Sequence, residues 1–424
     1  MSNDILIGGQ WGDEGKAKII DFLAKDYDIV LRTAGGANAG HSVVVDNQKF
    51  VFHLIPSGIL YPDVTVVLGN GVVLDLDEIL SEIKYLKEKS ITITGRLKIS
   101  SSCHIVLPFH KIIDREREKK KKDKIGTTQR GIGPAYSDKI TRIGVRLCDL
   151  EDKEKLAVKL QENIKEKKVL FDKYYMCDYK FNIIEIADEL HEKYLQVKDY
   201  IVNNVYYLNN SIKENKSILF EGAQGHSLDI DFGTYPFVTS SNPTVGGAIT
   251  GSGISVKKIN RVIGIFKAYL TRVGEGPFPT KMSPEDAEIL RKVGCEYGAT
   301  TGRPRDCGWF DLVEAKYSCM VNGFTDLAIT KLDVLDKYKQ IKICTGYEID
   351  GKVTNEFPVI HDDFQKIVPV YKSFDGWQSD ITKIRKYNDL PENAKIFLEF
   401  VEKEMGSKIS YVSIGPDRTE TIIK

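Results

Sequence analysis

The sequence predicts an α/β fold built on a large, mostly parallel central sheet flanked by helices, with inserted loops and helical segments. Three observations carry that expectation. Short, nearly continuous apolar runs recur through the chain, as strands buried on both faces do. Segments with helical spacing fill the intervals, and alternation of the two is the pattern of a parallel sheet. Glycine-rich segments follow several of the runs, where such a sheet carries its ligand-binding loops.

In chain order, strands are expected at Ile5–Ile7, Ile29–Leu31, Val64–Leu68, Ile218–Phe220, Val262–Phe266, Leu327–Ile329 and Ile409–Ile414. A helix is expected after the candidate N-cap Asp75, with Leu76, Ile79, Leu80, Ile83 and Leu86 on one face. Another carries Leu156, Leu160 and Ile164 through a charged segment. The lysine-rich stretch from Arg115 to Lys124 is interleaved with acids and reads as a solvated helix end or loop without chemistry. No linker-like stretch and no repeat interrupts the chain, so residues 1–424 are expected to form one elaborated domain.

Bulk properties exclude several classes. Sixty basic residues balance sixty acidic ones, which gives no electrostatic argument for nucleic acid or an anionic membrane and makes any phosphate site a local arrangement. No run approaches the roughly 20 apolar residues that span a bilayer, and the N-terminus lacks a signal-peptide pattern, so a soluble, cytoplasmic protein is expected. Seven cysteines, an odd count without a CxxC pair, read as reduced thiols.

The stretch Gly8-Gly9-Gln10-Trp11-Gly12-Asp13-Glu14-Gly15-Lys16 lies between an expected strand and a helix containing Ile19, Ile20 and Leu23. That context is P-loop NTPase-like: glycines let backbone N–H groups face phosphate oxygens, the helix N-terminus adds positive potential, and Lys16 reaches the terminal phosphates. The Walker pattern nevertheless fails, because Gln10 stands where a glycine is needed and Ala17 where Ser or Thr is needed. Asp13 is the odd member. A carboxylate inside an anion cradle implies a cation or a proton-transfer task, which makes it a Mg²⁺ ligand, a base, or both.

Other glycine-rich turns carry further chemistry. Gly35–Ser42 ends in His41, an acid or a donor to developing phosphate charge. Gly126–Pro134 combines Thr127, Thr128 and Arg130 with bare backbone, which suits a monophosphate, and Arg142 follows closely. Gln224, in Glu221–Gly225, offers a donor and an acceptor to a base edge, and Thr239 adds a hydroxyl. Gly298–Arg305 brings two threonines and two arginines together, a set that fits a dicarboxylate. Thr330-Lys331-Leu332-Asp333 matches the [NT]KxD signature in which the aspartate accepts from guanine N1–H and its 2-amino group.

The runs GGQWGDEGK, GGANAGH, IGTTQRGIGPAY, EGAQG, GTYPFVTSSNPT, TRVGEGPFPT, GATTGRPR, TKLDVLD and GPDRTE, in this order, resemble the adenylosuccinate synthetase family from end to end. The resemblance implies a GTP-dependent ligation of L-aspartate to inosine monophosphate (IMP) through 6-phosphoryl-IMP, giving adenylosuccinate, GDP and phosphate, the first committed step from IMP to AMP in purine biosynthesis. Asp13 would remove the N1 proton of IMP, His41 would assist the transferring phosphate, and Lys16 and Gln224 would complete the catalytic set. One Mg²⁺ would be held by Asp13 and the carbonyl of Gly40.

Carried over by position, IMP would meet Asp13, Glu14, Gly15, Lys16, Asn38, Ala39, Gly40, His41, Thr128, Arg142, Gln224, Thr239 and Arg303. In the family the equivalent of Arg142 comes from the partner subunit, which implies a homodimer. Aspartate would be held by Ala299, Thr300, Thr301, Gly302 and Arg303. GTP would use Gly12 to Lys18 (including Ala17), Gly40, His41, Ser42, Arg305, Lys331, Leu332, Asp333, Ser413, Ile414 and Gly415. Ala17, Ala37 and Gln129 depart from the commoner family residues, and Gln129 adds a side chain beside an expected phosphate contact. A GTP-dependent switch protein is the rival reading, but it requires neither a dicarboxylate loop nor a second phosphate site.

Overall fold

The computed structural model describes residues 2–45, 48–122, 125–298 and 302–424. Its centre is a ten-stranded sheet. From one edge the order is Thr421–Ile423, Lys408–Ser413, Asp326–Thr330, Arg261–Lys267, Asn3–Gly8, Ile218–Glu221, Ile29–Arg32, Thr65–Leu68, Leu97–Ser100 and Ile201–Val202. Neighbours pair in parallel except at the first edge, where Thr421–Ile423 runs antiparallel to Lys408–Ser413. All seven expected strands lie in this sheet.

The apolar runs are continuous because both faces of the sheet are covered. In Asn3–Gly8, Leu6 joins the core on one face while Ile5 and Ile7 join the core on the other. Thr65–Leu68 divides the same way, with Val66 and Leu68 on the first face and Val67 on the second. A two-residue period then has no polar half. Helix Lys16–Ala24 lays Ile19, Ile20 and Leu23 on the first core.

Helix Leu76–Glu88 starts where expected. The Asp75 side chain accepts from the N–H groups of Asp77 and Glu78 at 3.1 and 3.5 Å, and Ile79, Ile83 and Leu86 are buried. Helix Lys153–Val169 buries Leu156, Leu160 and Ile164. A smaller sheet of Phe310–Asp311, Gln340–Ile349, Lys352–Thr354 and Val368–Asp375 was not evident from apolar runs. Val368–Asp375 alternates exposed and half-buried residues along most of its length, the pattern of an edge strand with one solvated face.

The charged stretch after Arg115 has more structure than its composition implied. It ends the helix Pro108–Lys120, and its acids Glu116 and Glu118 are buried. Glu118 accepts from the N–H of Gly126 at 2.6 Å, and Asp114, on the same helix, accepts from the N–H of Gly131 at 3.0 Å. The two carboxylates thereby anchor both ends of the Gly126–Gly131 loop. Among the described residues no helix is long and apolar enough to cross a membrane.

Candidate active site

Segments at the carboxyl ends of five sheet strands, those ending at Gly8, Arg32, Glu221, Thr330 and Ser413, carry most of the expected site residues, while Thr128, Arg142, Arg303 and Arg305 lie on longer excursions between strands. A parallel sheet aligns these ends on one edge, which is where ligands bind in open α/β sheets.

The phosphate loop is held by its own acid. Glu14 is fully buried, and its carboxylate accepts from the N–H groups of Gln10 and Gly12 at 3.1 and 2.8 Å. Lys16 pairs with the same carboxylate at 2.5 Å. The Glu14 carboxylate and the Lys16 ammonium are thus committed to each other in this structure. Gly15, at φ 84°, is the left-handed N-cap of helix Lys16–Ala24, a conformation in which any other residue is strained. Asp13 shares that region at φ 57° and presents its side chain outward, 38% exposed. Its carboxylate pairs with the Nε of Arg305 at 2.8 Å, joining the phosphate loop to the Gly298–Arg305 segment.

The Gly35–Ser42 loop is braced by two buried groups. Arg32 donates to the carbonyls of Ala34 and Gly36 at 3.3 and 2.8 Å, and the Tyr136 hydroxyl accepts from Gly35 N–H at 2.9 Å. Asn38 accepts from Gly36 N–H at 3.2 Å, Ala39 is buried, and Gly40 and Ser42 are half-buried. His41 is buried and its Nδ1 contacts a carboxylate oxygen of Glu221, itself wholly buried at the end of its strand. Nδ1 faces that carboxylate, which leaves Nε2 on the other side of the ring.

The next turn brings Gln224, at φ 55°, up against the phosphate loop. Gly225 makes this approach possible, since a Cβ there would lie 2.4 Å from the carbonyl oxygen of Gln10 and the nitrogen of Gly12. The side-chain oxygen of Gln224 is buried and has no hydrogen-bond partner. Thr239 is tied to this turn by its N–H, which donates to the Leu228 carbonyl at 2.8 Å.

A buried cation cluster joins the last segments. Glu296 is fully buried and meets Lys267 at 3.0 Å, Lys331 at 2.8 Å, Arg305 at 2.5 Å and the Tyr269 hydroxyl at 2.5 Å. Burial alone would push its carboxyl up, but Lys267, Lys331 and Arg305 together outweigh that and hold it well below the usual range. Burial pushes Lys267 down to about 8 despite Glu296. A group whose folded pKa is depressed stabilises the fold above its unfolded pKa and loses that contribution as pH falls. Glu296→Ala leaves three cations around an uncompensated cavity and is expected to cost about 3–5 kcal/mol of stability, measurable by urea denaturation near neutral pH.

Lys331, at φ 57°, also donates to the Gly294 carbonyl at 2.6 Å. The Thr330 hydroxyl donates to the Glu14 carbonyl at 2.5 Å, so the guanine-type motif is bonded directly to the phosphate loop. Asp333 is half-buried, and one carboxylate oxygen is buried without a partner, an acceptor of the kind a base edge satisfies. Burial pushes its carboxyl up, opposed by a backbone hydrogen bond and the charges of Lys18 and Lys331. Lys18 donates to Ser413 Oγ at 2.7 Å and to the Glu420 carbonyl at 3.0 Å, which brings Ser413–Gly415 to the same place. The side chains of Ala17, Leu332 and Ile414 are buried.

Arg303 and Gly302 are exposed, and a Cβ on Gly126 would lie 3.7 Å from the Arg303 guanidinium, so the Gly126–Gly131 loop and the arginine loop meet. Thr128 is half-buried in the former. Ala299, Thr300 and Thr301 lie outside the described residues. Arg142 stands apart, exposed at the C-cap of helix Ile132–Thr141. Sequence reasoning missed Glu221, Lys267, Arg272 and Glu296 as site-building groups. Arg272 donates to Thr234 Oγ1 at 3.1 Å and to the carbonyls of Pro277 and Phe237 at 2.6 and 3.0 Å. A signal existed, since Glu221, Lys267 and Arg272 are charges in or beside strongly apolar runs.

A metal site made wholly of protein groups is absent: among the described residues no three His, Cys, Asp or Glu side chains converge. One exposed carboxylate and a backbone carbonyl fit Mg²⁺, which binds through one or two carboxylates together with substrate phosphates.

The adenylosuccinate synthetase family model matches residues 5–422. The adenylosuccinate synthetase of Carboxydothermus hydrogenoformans is 51% identical over 428 residues, covering 100% of this chain and 99% of that protein. That of Desulforamulus reducens is 50% identical over 425 residues, with 100% and 99% covered. The structure of fully ligated adenylosuccinate synthetase from Plasmodium falciparum superposes with a TM-score of 0.94 at 40% identity, each chain covered completely. The chain therefore belongs to the adenylosuccinate synthetase family, and it is a ligase (EC 6.3.4.4) of purine biosynthesis that makes adenylosuccinate from IMP and aspartate.

Proposed function

We propose that the chain, acting as one catalytic domain over residues 1–424, uses GTP to activate IMP as 6-phosphoryl-IMP before aspartate attacks. The observation that carries this reading is Asp13: an outward carboxylate inside a phosphate loop, held by Arg305 from the segment assigned to aspartate. Such a group repels phosphate unless a cation or a proton-transfer task accounts for it, and it suits a base between nucleotide and purine.

In the first step Asp13 takes the proton from N1 of IMP. The electron pair moves onto O6, which attacks the γ-phosphorus of GTP, and the bond to GDP breaks. Lys16 and the backbone N–H groups of Gly15 to Ala17 bind the phosphates, and His41 Nε2 donates to the transferring group with Glu221 as its counter-ion. Asp13 and the Gly40 carbonyl would hold Mg²⁺, which would supply charge neutralisation when bound. In the second step the aspartate amine attacks carbon 6 and the O6 phosphate leaves, taking the original oxygen with it. The amine proton is released and adenylosuccinate remains.

Gln224, with its unpaired buried oxygen, orients the purine; Asn38, Thr128 and Thr239 bind the nucleotide. Arg303, with the neighbouring threonines, binds the aspartate carboxylates, and Asp333 accepts from guanine. The exposure of Arg142 agrees with its reaching the IMP 5′-phosphate of a partner subunit in a homodimer.

The test is to follow the ultraviolet change of adenylosuccinate formation in IMP, L-aspartate, Mg²⁺ and GTP. One GDP is expected per adenylosuccinate, with no GDP in the absence of IMP. GDP release that is equally fast without IMP and aspartate would refute the ligase reading.

A further inference from the structure

The turn that carries Gln224 is braced from behind by a carboxyl that the reaction does not use. Ser227, three residues after Gln224, donates its N–H to the Gln10 carbonyl and accepts at its own carbonyl from Thr234 N–H, both at 3.0 Å. Its hydroxyl donates to Glu314. Glu314 stands in the first turn of helix Leu312–Asn322, is wholly buried, and has a second carboxyl oxygen without a partner. We propose that Glu314 is a positioning residue for the purine site: through Ser227 it holds the left-handed Gln224 turn in the geometry that receives the base of IMP. The inference rests on the assignment of Gln224 to the purine.

The groups around Glu314 define its working form. On its own helix are Asp311, bonded to the Tyr347 hydroxyl at 2.6 Å, and Cys319. From the phosphate loop comes Glu14, already paired with Lys16. From the turn comes His226, buried and bonded to Asn322 at 3.1 Å, and the packed strand Gln340–Ile349 adds Tyr347 and Cys344. Burial pushes the Glu314 carboxyl well above its usual range; the Ser227 hydrogen bond opposes it, and the Asp311 and Glu14 carboxylates add smaller upward pushes. Burial thus favours the neutral acid at Glu314. Its ionisation puts a charge against Asp311 and Glu14 and pulls on Ser227.

The sign of the pH effect follows. An acid whose folded pKa is raised stabilises the fold below its unfolded pKa, about 4.5, and that contribution is lost as pH rises toward the folded value. Glutamine has the shape of the neutral acid and no such loss.

The test is steady-state kinetics of Glu314→Ala, Glu314→Gln, Ser227→Ala and Gln224→Ala from about pH 6 to 9, with thermal melts at each pH. Losing one buried hydrogen bond should raise KM for IMP about fivefold to tenfold in Glu314→Ala and Ser227→Ala, with kcat and KM for aspartate and GTP within about twofold. Glu314→Gln should keep KM for IMP within about twofold and should lack the alkaline weakening of IMP binding expected of the unmutated protein. Its melting temperature should gain on the unmutated protein as pH rises. An unchanged KM for IMP in Glu314→Ala overturns the proposal. If Glu314→Ala does not fold, the glutamine pH profile decides, and a profile identical to that of the unmutated protein overturns it. Gln224→Ala separates the two readings: an unchanged KM for IMP there removes the purine assignment itself, whereas weakening in Gln224→Ala without any in the Glu314 variants removes only the positioning role.

Discussion

Asp13→Asn is expected to lower turnover by about 10³-fold to 10⁴-fold, the range for removing a positioned general base, while IMP and GTP still bind. The size of the effect follows from where the side chain sits. Its neighbours Gly12 and Gly15 are left-handed and Glu14 is buried in the loop, so Asp13 is the one carboxylate of the segment that faces outward. Asparagine keeps the shape but carries no basic oxygen. The Arg305 contact that spans the two halves of the site would weaken as well. Single-turnover formation of GDP from GTP and IMP, measured beside binding of each nucleotide by calorimetry, checks the split. Turnover within about tenfold of normal would exclude the base role.

Asp333→Asn is expected to lower kcat/KM for GTP by about 10²-fold to 10³-fold, since two charge-assisted hydrogen bonds are lost and an amide donor is turned toward guanine's own donors. Xanthosine triphosphate carries a carbonyl in place of the 2-amino group, so the same variant should use it better than the unmutated protein does. The buried, unpartnered oxygen of Asp333 is the structural basis. Competing the two triphosphates against each other in both proteins measures the exchange directly. Equal preference in both would mean that guanine is recognised elsewhere.

Much of this was legible because it is local. The seven central strands announced themselves as apolar runs, and the loops after Gly8, Arg32, Glu221 and Thr330 are contiguous motifs at strand ends. The unread parts depend on distant partners. Glu296 sits beside nothing unusual in sequence, and its value as an anchor exists only once the fold brings Lys267, Arg305 and Lys331 around it. The inward turn of Glu14 onto Lys16 is equally invisible, because neighbouring charges read the same whether they face a ligand or each other. Glu118 was hidden in a segment whose lysines dominate its composition and Asp114 stands just before it, although helical spacing puts these acids on the face toward the Gly126–Gly131 loop. The strands Lys352–Thr354 and Val368–Asp375 are short or half-solvated, and neither gives an apolar run.

The claim that joins these features is that O6 of IMP, freed by Asp13, takes the γ-phosphoryl group and departs with it. Labelling IMP with ¹⁸O at O6 and analysing the phosphate by mass spectrometry after turnover with GTP and aspartate tests it most directly. One ¹⁸O atom is expected in each inorganic phosphate formed. Unlabelled phosphate, with the ¹⁸O found in water, would contradict the account.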